Sequence, residues 1–439
     1  MIVMKFGGTS LGNAERIKNA ANIIKKNVKN KPVVVVSAVT KITDALIMLA
    51  NECNGGNEKE VLDWIKKVHK KILLKLKIDA SLLDAEFKEL SDLTSAAKSS
   101  EVNAELLDKF QSFGERMSSK IVAAQLNKIG VKAQAFNSWE LGFLTNSEFG
   151  NAEPLESSYK NIGKNIRKLD IIPVVTGFIG KTENGRITTI GRGGSDYTAA
   201  IVGASIDASE IQIWTDVNGI MSTDPRVVKR AKTIENVSFA EASELAYFGA
   251  KVLHPKTILP AMEKNIPVRV LNSFNPENKG TIITRNRQRN GTKVKSIACK
   301  KNICLVNVNS TRMLGAYGFL ARIFSIFNEH KKSIDVISTS EVSVSMTVDS
   351  EEKMEVITDK LKEISSVEIA KKKAIICVVG EGIRNAVELP GRTFTALGNG
   401  KINIDMMSQG ASKINITFVT DEKNADKAVK ILHKEYFGE

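Results

Sequence analysis

Residues 188–226 read TTIGRGGSDYTAAIVGASIDASEIQIWTDVNGIMSTDPR, which predicts a glycine-rich turn, an apolar helix, a strand and a polar loop in succession. The turn at residues 191–194 carries one cation and leads directly into the helix, which begins at Ser195. Such a turn exposes backbone N–H groups and the positive end of the helix dipole, and therefore suits an anion. The alternative is a turn that only caps the helix, because Ser195 and Asp196 are good cap residues without any ligand.

Length and composition indicate a globular protein of two or three domains. The chain has 439 residues, 42% of them hydrophobic, and a formal net charge of +14. That charge raises nucleic-acid binding as a hypothesis. The lysines, however, are spread along helical stretches such as residues 66–77 and are not interleaved with aromatic residues. A solvated lysine-rich surface is the better interpretation, so we expect no nucleic-acid partner.

The cysteines and the N-terminus bear on the location of the protein. Cys53, Cys299, Cys304 and Cys377 show no spacing typical of a metal site, which favours reduced thiols in the cytoplasm. The first residues, MIVMKFGG, lack the apolar core of a signal peptide, and no apolar run reaches membrane-spanning length. We therefore expect a soluble cytoplasmic protein without a membrane partner.

Two early strands end in small and hydroxyl residues. Residues 2–6 form an apolar strand that contains Lys5 and runs into Gly-Gly-Thr-Ser at residues 7–10, while the valine run at 32–36 runs into residues 37–43. A lysine, N–H groups and hydroxyls can surround a phosphate, although the common GxxxxGK[ST] loop is absent. Ligands of open α/β sheets collect at the carboxyl ends of strands, so the two ends together favour a binding site over two tight turns.

The middle of the chain predicts helices that flank the sheet. Residues 58–127 carry apolar side chains at helical spacing among many charges. Within them, Glu115 follows a glycine in an otherwise apolar helix, and a structural salt bridge is the alternative to a ligand-binding role for its carboxylate. Strands and helices alternate over about 270 residues, which predicts an α/β sheet covered on both faces.

Residues 300–439 contain an internal repeat with a shift of 70 positions. The shift aligns Arg322 with Arg392, Phe324 with Phe394, Asp335 with Asp405 and Ser338 with Ser408. Each half predicts strand, helix, strand, strand, helix, strand, a ferredoxin-like α+β unit, and duplication indicates that the halves pack together. Neither half carries a nucleophile, a histidine pair or a metal-ligand cluster, so the tail is predicted to bind and not to catalyse.

Several motifs in this order closely resemble the aspartokinase family. They are KFGGTS at residues 5–10, FGER at 113–116, GRGGSD at 191–196, WTDV at 214–217, TDPR at 223–226 and FGAKVLHP at 248–255. The resemblance covers essentially the whole chain. It implies an α/β amino-acid-kinase domain in residues 1–290, with a carbamate-kinase-like sheet sandwiched by helices. Two ferredoxin-like α+β ACT domains would follow, an effector-binding one in residues 300–370 and a dimerising, regulatory one in residues 371–439, and such domains can exchange strands.

The resemblance also implies a reaction. It is transfer of the γ-phosphoryl group of ATP to the β-carboxylate of L-aspartate, giving 4-phospho-L-aspartate and ADP, the first step of lysine, threonine and methionine biosynthesis. Carried over by motif, the catalytic residues are Lys5 and Asp196, and the substrate-binding residues are Thr43, Glu115, Arg192 and Ser195. The nucleotide-binding residues are Lys5, Gly7, Gly8, Thr9, Ser10, Thr215, Asp216, Met221, Arg226, Lys251 and Val252. Mg²⁺ is expected mainly on ATP oxygens and water, with no protein cage.

Two features of the sequence refine this expectation. Met221 stands where relatives often have Tyr, so a hydroxyl contact to the nucleotide would be missing, although methionine can still pack on it. The tail resembles the effector segment of lysine-inhibited aspartokinases at Met313, Gly318, Phe319, Leu320, Asp335, Thr339, Ser340 and Glu341. L-lysine is therefore the expected inhibitor, with threonine or a concerted pair as alternatives, and a homodimer or homotetramer formed through the ACT domains is the expected assembly.

Three other functions fit parts of the sequence. Another amino-acid kinase shares the sheet, but the segment at residues 113–116 and the paired tail argue against it. A non-catalytic amino-acid sensor could keep the fold, yet it has no need to keep Lys5, Arg192 and Asp196 together. An RNA-binding protein would suit the positive charge, but five Tyr and three Trp provide few platforms for stacking bases.

Overall fold

The computed structural model describes the chain except residues 53–55, 99–100, 250–254, 286–292, 314–316, 411, 413 and 439. The strands are β1 (Ile2–Phe6), β2 (Pro32–Val36), β3 (Ala133–Phe136), β4 (Leu144–Thr145), β5 (Ile172–Thr176), β6 (Ile179–Thr182), β7 (Ile187–Thr189), β8 (Glu210–Thr215), β9 (Asn236–Ser238), β10 (Val268–Asn272), β11 (Thr281–Thr284), β12 (Ser296–Asn309), β13 (Ile337–Thr339), β14 (Ser343–Val348), β15 (Ser366–Val379), β16 (Met406–Ser408) and β17 (Asn415–Asp421).

The α-helices alternate with these strands in the first part of the chain and again in the tail. They are α1 (Ala14–Lys26), α2 (Ile42–Glu52), α3 (Glu58–Leu76), α4 (Asp84–Ala97), α5 (Ala104–Lys128), α6 (Glu156–Ile166), α7 (Gly194–Ile206), α8 (Phe239–Tyr247), α9 (Leu259–Glu263), α10 (Phe319–Glu329), α11 (Met354–Lys362), α12 (Glu388–Asn399) and α13 (Glu422–Phe437). None of the described helices is long and apolar enough to cross a membrane.

The described residues form two compact units, of which the first contains residues 1–220, 235–239 and 252–286. Its main sheet has the strand order β3-β5-β2-β1-β8-β10-β11-β9. β1 lies between β2 and β8 and is parallel to both. Every side chain of β1 and β2 is buried, as the continuous apolar runs predict for a parallel sheet covered on both faces.

A small sheet, β4-β6-β7, leads the chain into the site region of this unit. After β7 the chain makes the glycine-rich turn and enters α7. Gly191 and Gly193 have φ values of 78° and 73°, a left-handed conformation that glycine adopts without steric cost. The turn therefore depends on those two glycines.

The second unit contains residues 221–234, 240–251 and 287–439, so two segments that precede the repeat cluster with it. Its sheet has the order β13-β14-β12-β15-β17-β16, and the long strands β12 and β15 form its centre. The register of that pair shifts between Lys300 and Ile303.

The two halves of the repeat share these long strands. Residues 304–309 of β12 pair with β14, and Cys304, Val306 and Val308 belong to a core with α10 and α11. Residues 373–379 of β15 pair with β17, and Ile376 and Val378 form a second core with α12, α13 and Ile297. The order predicted for the second half therefore needs correction, because its last strand is supplied by residues 296–300 and not by residues after α13. Residue 370, at which the first half of the repeat was predicted to end, lies inside β15.

Candidate active site

The loops after β1 and β2 meet because the two strands are adjacent and parallel. The N–H group of Ser37 donates to the carbonyl of Phe6 at 3.1 Å, and the hydroxyl of Thr40 donates to the carbonyl of Gly8 at 2.7 Å. A Cβ atom on Gly8 would lie only 2.9 Å from the carbonyl oxygen of Ala38. The second glycine of the first loop is therefore needed for this close approach.

A cavity of about 650 Å³ lies at these strand ends in the first unit. It is bordered by the two loops, by α5 and by the turn that opens α7. The predicted site residues that line it are Lys5, Gly8, Thr43, Glu115, Arg192, Ser195 and Asp196. The structure thus brings together the predicted catalytic and substrate-binding residues from positions that are almost 200 residues apart in the sequence.

Lys5 and Asp196 form an ion pair within this cavity. Nζ of Lys5, on β1, lies 2.6 Å from Oδ1 of Asp196, in the first turn of α7. Both side chains are largely shielded from solvent, which strengthens the attraction relative to a surface pair. The pair holds one cation at the carboxyl end of the central strand.

Glu115 is a buried carboxyl group on the cavity wall, with only 3% of its surface exposed. Its Oε1 accepts a hydrogen bond from the N–H group of Ala38 at 2.9 Å, whereas its Oε2 has no hydrogen-bond partner among the described residues. Burial raises the pKa of Glu115 to about 8, although the Ala38 hydrogen bond and the charge of Lys5 act in the opposite direction. The carboxyl group can therefore keep a proton or receive a ligand cation.

Arg192 lies at the centre of the glycine-rich turn and lines the cavity. Its guanidinium makes no hydrogen bond or ion pair to any other described residue. Backbone N–H groups of Asp196 and Tyr197 donate to the carbonyl of Gly193 at 2.9 and 3.0 Å, which fixes the turn to the start of α7. Ser195 packs so closely on Gly177 that a Cβ atom there would lie 2.7 Å from the Cβ of Ser195.

Ser10 differs from its predicted role as a phosphate donor. Its side chain is fully buried, its hydroxyl lies 2.8 Å from that of Ser273, and its N–H group donates to the carbonyl of Gly7 at 2.9 Å. The N–H group of Gly7 in turn donates to the carbonyl of Trp214 at 3.1 Å. These hydrogen bonds join the loop to neighbouring strands. The N–H groups of Gly8 and Thr9, at the start of a short helix, therefore remain as the donors that this loop can offer to a phosphate.

The other predicted nucleotide-binding residues are divided between the two units. Thr215 and Asp216 lie at the carboxyl end of β8 in the first unit, where the hydroxyl of Thr215 donates to Oδ1 of Asp216 at 3.2 Å. Met221 and Arg226 belong to the second unit, and the guanidinium of Arg226, whose side chain is 76% exposed, pairs with Asp224 at 2.6 Å. Lys251 and Val252 lie outside the described residues.

The predicted effector residues include an acid, Asp335, that already forms an ion pair. Nζ of Lys300 lies 3.0 and 2.9 Å from the two carboxylate oxygens of Asp335, whose side chain is only 4% exposed. Thr339, Ser340 and Glu341 are exposed, and the hydroxyl of Ser340 lies 2.6 Å from that of Ser343. The carboxylate of Asp335 is therefore paired with a lysine in this structure, and an effector ammonium would have to replace or share that partner.

The remaining predicted effector residues lie at the start of α10 and before it. Gly318 precedes α10 with a φ of 77°. Phe319 is buried in the core of the first half, Leu320 is exposed, and Met313 packs partly against that same core. Of the predicted effector residues, Gly318, Leu320 and the segment at residues 339–341 are exposed.

Sequence reasoning missed two polar residues of α5 and the partner of Asp335. Gln111 lines the cavity, and Asp108 is buried behind it. Together with Glu115 they are spaced at i, i+3 and i+7, which puts all three on one face of a helix and could have identified them. Nothing in the sequence marks Lys300 among the many lysines.

The site is a cavity at the carboxyl ends of parallel strands, with Lys5 and Arg192 among its lining residues, and comparison with known proteins identifies the family. Residues 1–272 match the amino acid kinase family, and residues 306–359 and 376–436 match the ACT domain family. The chain is 41% identical to aspartokinase 1, chloroplastic, of Arabidopsis thaliana over 99% of its length and 80% of that protein. It is 35% identical to lysine-sensitive aspartokinase 3 of Escherichia coli, over 100% of this chain and 99% of the relative.

Solved structures agree as well. The crystal structure of E. coli aspartokinase III in complex with aspartate and ADP (R-state) covers 100% of both chains with a TM-score of 0.88 and 35% identity. The complex of the same protein with lysine and aspartate (T-state) gives a TM-score of 0.82. The chain therefore belongs to the amino acid kinase family and, within it, to the aspartokinases. It is an aspartate kinase, an enzyme that uses a nucleotide, with ACT domains in its tail.

Proposed function

We propose that the cavity binds L-aspartate and the reacting phosphates of ATP, and that its residues act in the roles given by their positions. The observation that supports this most is the convergence of one cation paired with an acid, one unpaired guanidinium and one buried carboxyl group in the same cavity. Aspartate carries two carboxylates and one ammonium. The three groups of the cavity are complementary to those charges.

In the proposed reaction, an oxygen of the substrate β-carboxylate forms a bond to the γ-phosphorus, while the bond from that phosphorus to the β,γ-bridging oxygen breaks and ADP leaves. The attacking carboxylate is already ionised at neutral pH, so the protein needs no general base. Its main tasks are to position the reactants and to offset the repulsion between two anions. Lys5 neutralises charge on the transferred group, and Asp196 holds the Lys5 ammonium in place.

The substrate contacts follow from the chemistry of each side chain. Arg192 has a planar guanidinium that can bind a carboxylate through two parallel hydrogen bonds. Oε2 of Glu115 accepts a hydrogen bond from the ammonium group of aspartate. Thr43 and Ser195 line the same cavity and add hydroxyl groups for hydrogen bonds to the carboxylates.

The nucleotide is proposed to bind through Lys5, Gly8, Thr9, Thr215, Asp216, Met221, Arg226, Lys251 and Val252. Gly7 and Ser10 are left out of this set because the N–H group of Gly7 and the hydroxyl of Ser10 already bond to Trp214 and Ser273. Mg²⁺, which the family resemblance implies, would neutralise charge on the phosphates of ATP when bound. The described part of the chain contains no cluster of three or more His, Cys, Asp and Glu side chains suited to a metal. Asp196 and Asp44 line the cavity, and their carboxylates fit contacts to magnesium-bound water.

Regulation by L-lysine is proposed from the tail and from the relatives. The E. coli relative is lysine-sensitive, and its T-state crystal structure contains lysine. In this chain the proposed effector residues are Met313, Gly318, Phe319, Leu320, Asp335, Thr339, Ser340 and Glu341. Inhibition requires that lysine bind one arrangement of the protein more tightly than another.

A homodimer through the ACT domains, or a homotetramer, and a cytoplasmic location also belong to the proposal. We propose the same division of the chain as the resemblance implies, with a kinase domain in residues 1–290 and ACT domains in residues 300–370 and 371–439. The thiols of Cys299, Cys304 and Cys377 are free in the structure, in keeping with a reducing compartment.

The test is ATP turnover with L-aspartate, with the acyl phosphate trapped as its hydroxamate during titration with L-lysine, L-threonine and both. Aspartate-dependent hydroxamate that decreases with lysine alone is the expected result. Hydroxamate that does not respond to lysine would refute the effector proposal and leave the reaction intact. A folded, ATP-binding sample that forms no hydroxamate would refute the assignment of the cavity.

A further inference from the structure

Asp108 is a buried acid on α5, two helical turns before Glu115. Gln111 and Glu115 on the same face line the cavity, whereas Asp108 has no exposed surface and lies behind the wall. Burying a carboxyl group in this way is unfavourable unless hydrogen bonds compensate for the lost water. Burial indeed raises the pKa of Asp108, although its hydrogen bonds lower it.

The carboxylate of Asp108 accepts three hydrogen bonds from two separate segments. Its Oδ2 accepts from the N–H groups of Gly150 and Thr189 at 2.9 and 2.8 Å. Its Oδ1 accepts from the hydroxyl of Thr189 at 2.6 Å. A neutral amide could still accept both N–H bonds on its one oxygen, but its NH₂ group cannot accept the bond that Oδ1 receives from the hydroxyl of Thr189.

The two segments that Asp108 joins are those that support the glycine-rich turn. Thr189 is the last residue of β7, three positions before Arg192, and both Thr189 and Gly150 line the cavity. The carbonyl of Thr189 accepts a bond from the N–H group of Ala152 at 2.9 Å. The amide oxygen of Asn151 lies 2.6 Å from the position that a Cβ atom on Gly191 would occupy, so the loop at residues 150–152 lies against the turn.

We propose that Asp108 is a positioning residue for the substrate aspartate, which acts by holding Thr189 and Gly150 so that Arg192 keeps its place in the cavity. Asp108 itself does not contact the substrate. The inference rests on the proposed role of Arg192 as the carboxylate-binding residue. A small displacement of a binding group suffices to matter, since a shift of about 1 Å can reduce catalysis roughly 100-fold.

The experiment compares Asp108→Asn with the unmodified enzyme in steady-state kinetics and thermal unfolding. The expected result is a KM for aspartate that rises about 10- to 100-fold, with a KM for ATP that changes less than about twofold. The rise in unfolding temperature that aspartate produces should decrease in parallel, because that rise depends on affinity. A variant with a lower unfolding temperature but an unchanged KM for aspartate would overturn the positioning role.

Two further variants keep the test decisive. Thr189→Val removes only the hydroxyl bond to Oδ1 and should raise the KM for aspartate in the same direction, so it replaces Asp108→Asn if that variant does not fold. Thr94→Val, on α4, removes a buried hydroxyl that donates to the carbonyl of Leu90 at 2.7 Å and does not line the cavity. It should reduce stability and leave both KM values unchanged.

Arg192→Gln separates this inference from the proposal on which it rests. An unchanged KM for aspartate in Arg192→Gln would refute the role of Arg192 itself, and the inference with it. A raised KM in Arg192→Gln together with an unchanged KM in both Asp108→Asn and Thr189→Val would overturn only the role of Asp108.

Discussion

Lys300 donates from its ammonium group to both carboxylate oxygens of Asp335, at 3.0 and 2.9 Å, within the segment proposed to bind the effector. The same ammonium lies 5.7 Å from the ring centroid of Tyr247, a cation–π contact. An effector with a distal ammonium group would need the same carboxylate. We therefore expect Lys300 to compete with the proposed effector for the carboxylate of Asp335.

Replacing Lys300 by methionine should increase sensitivity to lysine. Lys300→Met leaves Asp335 without its cation, so the ammonium of the effector gains a free partner, and we expect a severalfold lower concentration for half-inhibition with an unchanged uninhibited rate. Lys301→Met is the matched control, because Lys301 pairs with Asp426 at 2.8 Å on an exposed surface. Equal or weaker inhibition in Lys300→Met would show that Lys300 does not compete.

Loss of the Lys5 ammonium should abolish most turnover while the fold persists. Lys5→Met keeps the apolar part of the side chain in β1 and removes the charge, and we expect kcat to decrease about 100- to 1000-fold, as for other electrostatic groups at a reacting centre. Circular dichroism should remain that of the unmodified enzyme. Near-normal turnover in a folded Lys5→Met sample would refute the catalytic role of Lys5.

Aspartate binding should depend on pH through Glu115. Its pKa is raised to about 8 by burial, so below that pH the carboxyl group is protonated and cannot attract an ammonium. Binding should therefore release a proton, and the KM for aspartate should decrease by up to about tenfold per pH unit from pH 6 towards pH 8 and then level off.

Two variants on α5 test this pH dependence. Glu115→Gln should raise the KM and remove its variation with pH. In Glu105→Gln, by contrast, the profile should stay unchanged, because the hydrogen bond from Lys109 lowers the pKa of Glu105 and keeps it ionised over this range. A pH-dependent KM that persists in Glu115→Gln would assign the titration to another group.

A methyl group on Gly114 should disturb both packing and the site. A Cβ atom there would lie 2.6 Å from the Cβ of Ala38, whose N–H group donates to Glu115. Gly114→Ala should cost about 1–3 kcal/mol of unfolding free energy and raise the KM for aspartate. Fluorescence of Trp64, Trp139 and Trp214 reports on this change, since all three lie in the first unit.

The control for that substitution is a glycine with space around it. Gly391 lies in α12. Outside its own helix backbone and chain neighbours, no atom of the described residues lies within 4 Å of the position that a methyl group would occupy. Gly391→Ala should therefore stabilise its helix by about 0.5–1 kcal/mol. The gain should appear in the circular dichroism transition and not in the tryptophan signal. A Gly114→Ala enzyme as stable as the unmodified one would mean that α5 and the loop after β2 can separate freely.

The local sequence pattern was enough to predict the central strands, the glycine-rich turn with its helix, and several residues that line the cavity. The largely apolar runs at residues 2–6 and 32–36 predict buried strands, which the structure confirms, and the small residues after them allow the two backbones to approach closely. The glycine-rich turn and the helix after it also follow from local chemistry. Together with the family resemblance, these features placed Lys5, Glu115, Arg192 and Asp196 in one site, and the cavity contains all four.

Only the tertiary structure decided which partners those residues and their neighbours have. The sequence marks Ser10 as a hydroxyl beside a glycine pair, but its contact with Ser273 depends on strands that are more than 260 residues apart. The pairing of Lys300 with Asp335, and the supply of residues 296–300 to the second half of the repeat, likewise depend on strand register. Hydrophobic period specifies which side chains are buried, whereas hydrogen bonds and ion pairs depend on distances that are set only when distant segments pack together.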